Sequence, residues 1–133
     1  NAARLGPILD AGLKALQARY PDLIGHYSCR GLVAGLQMTQ PGRKEPNHDL
    51  AHSIIERCFH KGLLFFSPVG AWGQTVKIAP PLTLPEEAMR EGLQVLGEAI
   101  GEAIAACSEP TREVATAKRS QPVPSASQTA SRR

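Results

Sequence analysis

Lys77 stands between Val76 and Ile78 in the run TVKIA (75–79). A lone ammonium flanked by β-branched apolar residues either snorkels to water along its own stem or meets an anion. A second cation, Arg30, falls at an Arg-Gly step between two apolar stretches. Its planar fork could reach a carboxylate of a substrate or a partner, but the first expectation is that it fixes the turn by bonding backbone carbonyls or a carboxylate. His48 and His52 are four residues apart. On a helix that spacing places both rings on one face, where two imidazoles could share a metal. Cys58 and His60 follow, but Cys58 belongs to an apolar stripe and no second ligand pair appears. Exposed or capping histidines are therefore expected, and no metal site. No Ser-His-Asp set or carboxylate pair argues for hydrolysis.

The elements that must carry these residues can be read from periodicity. Leu5, Ile8, Leu9, Leu13, Leu16 and Tyr20 recur at three and four, one face of a helix over 4–20. Pro7 is tolerable there only in the first turn, and Pro21 ends the helix. Residues 24–38, interrupted by Gly25, Gly31 and Gly35, read as one or two short strands bent near Arg30-Gly31. The loop QPGRKEPN (40–47) leads to a second helix with Asn47 as N-cap, an apolar face of Leu50, Ile54, Ile55, Cys58 and Phe59, and Gly62 just past its end. Residues 63–66 are expected to form a short buried strand, and 75–79 another, stopped by Pro80-Pro81.

Between those strands lies SPVGAWGQ (67–74). It could border a binding mouth with Trp72 as a packing wall. It leads into a strand rather than a helix N-terminus, so a phosphate cradle is not expected there. Thr83 and Glu86 have capping-box spacing ahead of a last helix with Met89, Leu93, Leu96, Ile100 and Ile104 inward. Gly92, Gly97 and Gly101 weaken that helix by about 1 kcal/mol each relative to Ala, so close packing on a neighbour must compensate. Few short strands among three helices predict an α+β fold: a small antiparallel sheet covered on one face by about three helices.

The chain has 133 residues, 42% of them apolar, enough for one domain with a core. Up to Cys107, ten Lys and Arg balance ten Asp and Glu; from Ser108 five cations meet two acids, so the net charge of +3 belongs to the tail. A neutral body argues against nucleic-acid binding, and no apolar run reaches the ~18 residues of a membrane span. Three scattered cysteines, Cys29, Cys58 and Cys107, make a poor disulfide framework, so reduced thiols in a cytoplasmic protein are expected. The start at Asn1, without Met and directly in helical periodicity, suggests missing upstream sequence. Two regions are expected: 1–107, a folded body, and 108–133, a disordered basic tail rich in Ser, Thr, Ala and Pro.

Three passages of the body carry a resemblance. RYPDLIGHYSCRGLVAGLQ, CFHKGLLFFSPVG and TVKIAPPLTLPEEAMREGLQVLGEAI follow one another as in the C-terminal segment of class III aminotransferases. These are pyridoxal-phosphate enzymes of fold type I, among them the 4-aminobutyrate, ornithine and acetylornithine aminotransferases and dialkylglycine decarboxylase. The resemblance implies a C-terminal small domain, a homodimer, and pyridoxal phosphate as cofactor. The family's large domain supplies the cofactor lysine; none of Lys14, Lys44, Lys61, Lys77 and Lys118 sits in a similar context. The resemblance therefore implies no catalytic residue here and no activity of this chain alone.

In several family members an Arg before the double proline pairs with the substrate carboxylate. Lys77 holds the matching position and Arg30 that of the family's Arg-Gly, so substrate binding is carried over to Lys77 first and to Arg30 second. Lys in place of Arg implies a looser grip, a point charge replacing a bidentate fork. The expected function is a share in transferring an amino group from an amino acid or amine to a 2-oxo acid. Two other readings stand beside it: a non-catalytic binding module or remnant of a truncated gene, and a related decarboxylase or aminomutase.

Overall fold

The computed structural model describes residues 1–108, and every structural statement below concerns these. They form α1 (Ala2–Arg19), β1 (Ile24–Arg30), β2 (Val33–Met38), α2 (His48–His60), β3 (Thr75–Ile78) and α3 (Glu86–Ser108). The strands make one antiparallel sheet in the order β1-β2-β3. The helices pack on one face of it, α1 against β1 and α2 against β2 and β3, while α3 packs on α1 and α2. This is the expected α+β layer. Of the expected tail (108–133), all but Ser108 lies outside the described residues.

Leu5, Leu9, Leu13 and Leu16 of α1, Leu50, Ile54, Ile55 and Cys58 of α2, and Met89, Leu96 and Ile100 of α3 are buried together with Ala34, Leu36, Met38, Val76 and Ile78 of the sheet. The helical periodicity of three and four and the strand periodicity of two thus meet in one core. Pro7 lies inside α1, beyond its first turn, and removes one intrahelical bond. The leucine stripe on either side holds the helix to the sheet despite that loss. Asn47 caps α2, its side chain accepting from the Leu50 amide at 3.0 Å.

The bend at Arg30-Gly31 is a tight hairpin in which Arg30 pairs with Val33. Gly31 has φ 58°, the left-handed region that glycine enters without cost. It also lets α1 come close: a Cβ on Gly6 would stand 3.0 Å from the Gly31 Cα. Further along, α1 crosses α3 where glycine leaves room, with Gly97 facing Leu16 and Gly101 facing Tyr20.

Three local expectations need correction. Residues 63–66 form no strand. Phe59, expected on the inner face of α2, is exposed beside the His60 ring. The Thr83–Glu86 box is not made: α3 begins only at Glu86, whose carboxylate instead takes Arg90 one turn on and Arg4 of α1, each at 2.8 Å.

Candidate functional site

The sheet has a free face. His26, Ser28 and Arg30 of β1, Val33 and Gln37 of β2 and Lys77 of β3 alternate with the core residues and are all exposed. Ser28, Gly35 and Lys77 lie in one cross-strand row, and Arg30 lies one two-residue step further along β1. Lys77 and Arg30 therefore share a face, with Cα atoms roughly 12 Å apart by sheet spacings. No acid stands on this face, and among the described residues neither cation makes an ion pair. Among the described residues the Arg30 guanidinium bonds no carbonyl and no carboxylate, so the turn-fixing role expected first for it is not seen, and the turn depends on Gly31.

Lys77 also stands on a cleft. Val69 and Thr75 exchange both backbone hydrogen bonds, each 2.9 Å, which starts an antiparallel pairing outside β3. Continued, it would set Ser67 opposite Lys77 and Phe65 opposite Ala79, but no such bonds form. Ser67, Lys77, Phe65 and Ala79 all carry the amide hydrogens this register would use, so the pairing stops because the chain diverges there. Residues 63–66 peel away, Leu63 and Phe65 turned toward the core, Leu64 and Phe66 outward. A cavity of about 250 Å³ is lined by this segment, by 77–81, and by Leu84, Met89 and Leu93. Among the described residues Lys77 is its only charged lining residue. Trp72, expected as a wall of a binding mouth, does not line it and is exposed. Sequence reasoning located Lys77 but not this cleft, because an apolar run such as LLFF says nothing about whether a ladder partner exists.

The other candidates have separate surroundings. The His48 and His52 rings are 6.1 Å apart and exposed, and among the described residues no three His, Cys, Asp or Glu gather in metal-binding geometry. Lys61 reaches Glu102 at 2.8 Å and Glu98 at 3.4 Å; hydrogen bonds to these carboxylates, Glu102 first, push its ammonium pKa up. Burial pushes the Cys58 thiol up to about 11, so it is no nucleophile at neutral pH. Burial, then Asp10, also raises Cys29 and Tyr27.

These residues do not fit a pyridoxal-phosphate site. Such a site needs a lysine in an enclosed pocket, an acid for the pyridine nitrogen and a phosphate cradle. Lys61 is committed to two glutamates, Lys14 and Lys44 are exposed, and the cleft beside Lys77 has no acid or hydroxyl in its lining.

Comparison with known proteins first places the fold and then narrows the class. An omega-aminotransferase from Paracoccus denitrificans superposes with a TM-score of 0.69 at 28% identity, over 80% of this chain and 23% of that one. In sequence, the diaminobutyrate–2-oxoglutarate transaminase of Wolinella succinogenes is 38% identical over 97 residues, 73% of this chain and 21% of the relative. An alanine/serine racemase from Pyrococcus horikoshii is 31% identical over 101 residues, 75% of this chain and 20% of the relative. Acetylornithine and 4-aminobutyrate aminotransferases also match. No protein-family model matches. These likenesses show the class III aminotransferase resemblance that the motifs suggested, in sequence and in fold. The chain spans about a fifth of the length of the curated relatives it matches. No described helix is long and apolar enough to cross a membrane.

Proposed function

We propose that this chain is the C-terminal part of a pyridoxal-phosphate-dependent aminotransferase, with 1–107 as its small domain and 108–133 as a basic tail. The whole enzyme, a cytoplasmic homodimer, moves an amino group from an amino acid or amine to a 2-oxo acid. The cofactor lysine belongs to the large domain, and this part binds the substrate carboxylate and closes the active site. The observation that carries the reading is Lys77, a cation without an ion-pair partner among the described residues, on a strand that borders an apolar cleft and with Arg30 on the same sheet face. Exposed Leu64, Phe66, Trp72 and Leu82 supply a surface for the large domain.

The test uses the enzyme with its large domain. Lys77→Ala is expected to raise KM for the amino acid roughly tenfold to a hundredfold, the worth of a hydrogen bond to a charged group, with a smaller change in kcat. Lys77→Arg is expected to restore or improve KM. An unchanged KM in Lys77→Ala removes the anchor role. The chain alone, mixed with pyridoxal phosphate, is expected to develop no visible absorbance band of a lysine-bound cofactor.

A racemase and a phospholyase share the segment as well, the latter from Arthrobacter with a TM-score of 0.70. The segment therefore does not choose the reaction, and a decarboxylase or aminomutase would use Lys77 in the same way.

A further inference from the structure

We propose that Asn1 is a positioning residue for Lys77: together with Arg4 it braces the link between β3 and α3 against the first turn of α1. The proposal rests on Lys77 as a carboxylate anchor and names what holds that anchor in place. Asn1 precedes α1 as Asn47 precedes α2, yet its side chain caps no helix amide. It reaches across the fold instead, its amide donating to the Leu82 carbonyl at 2.8 Å and to the Leu84 carbonyl at 2.9 Å. Arg4 fixes the sense of that amide by donating to its oxygen at 2.9 Å, and Glu86 at the start of α3 holds Arg4 at 2.8 Å. Turned over, the amide would set its oxygen against two carbonyls and its hydrogens against a guanidinium.

The link depends on such a hold because it has little of its own. Pro80, Pro81 and Pro85 carry no amide hydrogen, and Leu82 is exposed. Among the described residues, the one backbone hydrogen bond within 79–85 runs from the Leu84 amide to the Pro81 carbonyl, 3.0 Å. Two successive prolines fix φ at both positions and keep Ala79 extended, so a shift at Leu82 reaches the end of β3 instead of dissipating on the way. Lys77 stands two residues before Ala79. In the proposed enzyme the large domain precedes α1, so the brace ties Lys77 to the place where the upstream chain enters.

The experiment uses the enzyme with its large domain and compares Asn1→Leu, Lys77→Ala and the double variant. Asn1→Leu keeps the size of the side chain and removes its donors. It is expected to raise KM for the amino acid about threefold to tenfold, the net worth of a hydrogen bond, with kcat changed by less than about twofold. Added to Lys77→Ala, it is expected to raise KM no further, since no ammonium is left to place. Asn1→Asp keeps the Arg4 bond and loses both donors; it is expected to behave as Asn1→Leu does, and it stands in for that variant should the latter not fold. An unchanged KM with only the thermal midpoint lowered makes the brace a structural tie and overturns the proposal. An equal rise in KM with and without the Lys77 ammonium overturns it too, because the brace then acts on another group. An unchanged KM in Lys77→Ala is a different failure: it removes the anchor, and the proposal with it.

Discussion

The inner face of the sheet and the stretch from residue 59 to 82 use the same kinds of side chain to opposite ends. Leu5, Leu13, Leu36 and Ile54 are fully buried, whereas Phe59, Leu64, Phe66, Trp72 and Leu82 are exposed by 62%, 73%, 76%, 71% and 69%. Composition does not separate the two regions; partners do. On the inner face each apolar stripe has another element opposite it, and backbone groups are satisfied within helices and ladders. Between α2 and β3, and again from β3 to α3, the backbone joins no sheet ladder and is held by the Val69–Thr75 bridge, by local turns and by Leu63 and Phe65 reaching inward. Lys77 and its cleft lie on the boundary, where a packed scaffold meets a strip of chain that has no ladder.

The sharpest way to break that contrast is to truncate apolar side chains on both sides of it. Leu13→Ala is expected to cost about 2–5 kcal/mol, the transfer term plus a cavity that tight surroundings cannot collapse. Leu64→Ala and Phe66→Ala are expected to stay within about 0.5 kcal/mol, as exposed substitutions do. Urea midpoints at constant m value read the difference. Equal losses on both sides would mean that 59–82 is as well packed as the core.

Thiol chemistry gives the next largest effect. Cys107 is exposed, Cys29 half-buried, and Cys58 buried under α3 with its pKa near 11. Timed alkylation at neutral pH followed by peptide mapping is expected to label Cys107 first, Cys29 next, and Cys58 only as the fold opens. Cys58 labelled as fast as Cys107 would move the α2–α3 interface out of the packed region.

Acid sensitivity is smaller and comes from the helix surfaces. Hydrogen bonds from Arg90 hold Glu86 below its ordinary value of 4.5, and those from Gln94 and Lys61 do the same for Glu98. A folded pKa below the unfolded one means stability fully present above pH 4.5 and lost as pH falls through the lower folded values. Lys61, held above its ordinary 10.5, adds stability that disappears only as pH rises past that value. Both glutamates are partly solvated, so the effect is modest. Glu98→Gln is expected to flatten the acid limb of the stability curve, and Phe66→Ala to leave its shape unchanged.

The same contrast explains which features were legible beforehand. The leucine stripe of α1, the Asn47 cap and the Arg30-Gly31 bend follow from local rules, and each appears where periodicity or turn chemistry places it. The strand expected at 63–66 and the inward Phe59 fail for one reason: periodicity registers residue type, not whether a neighbour is present. The shared face of Arg30 and Lys77 was hidden differently. It depends on register across three strands, and register is a tertiary fact. Lys77 itself was legible because a charge between two β-branched residues stands out in any strand.

Two glycine substitutions supply the finest probe of the same boundary. Gly92 lies on α3 beside the cleft, where a Cβ would meet only Leu63 Cδ1 at 3.7 Å, an ordinary contact. Gly92→Ala is therefore expected to stabilise by about 0.5–1 kcal/mol, the helix propensity regained with no strain set against it. Gly6 lies on α1 in the packed region, where a Cβ would stand 3.0 Å from the Gly31 Cα and 3.2 Å from its carbonyl oxygen. Those atoms are backbone held by a two-residue hairpin and cannot give way as a side-chain end can. Gly6→Ala is expected to show none of the gain and to lower the thermal midpoint as Gly92→Ala raises it. Both variants shifting the midpoint the same way would mean that the α1–β1 hairpin contact is no tighter than the edge of the cleft.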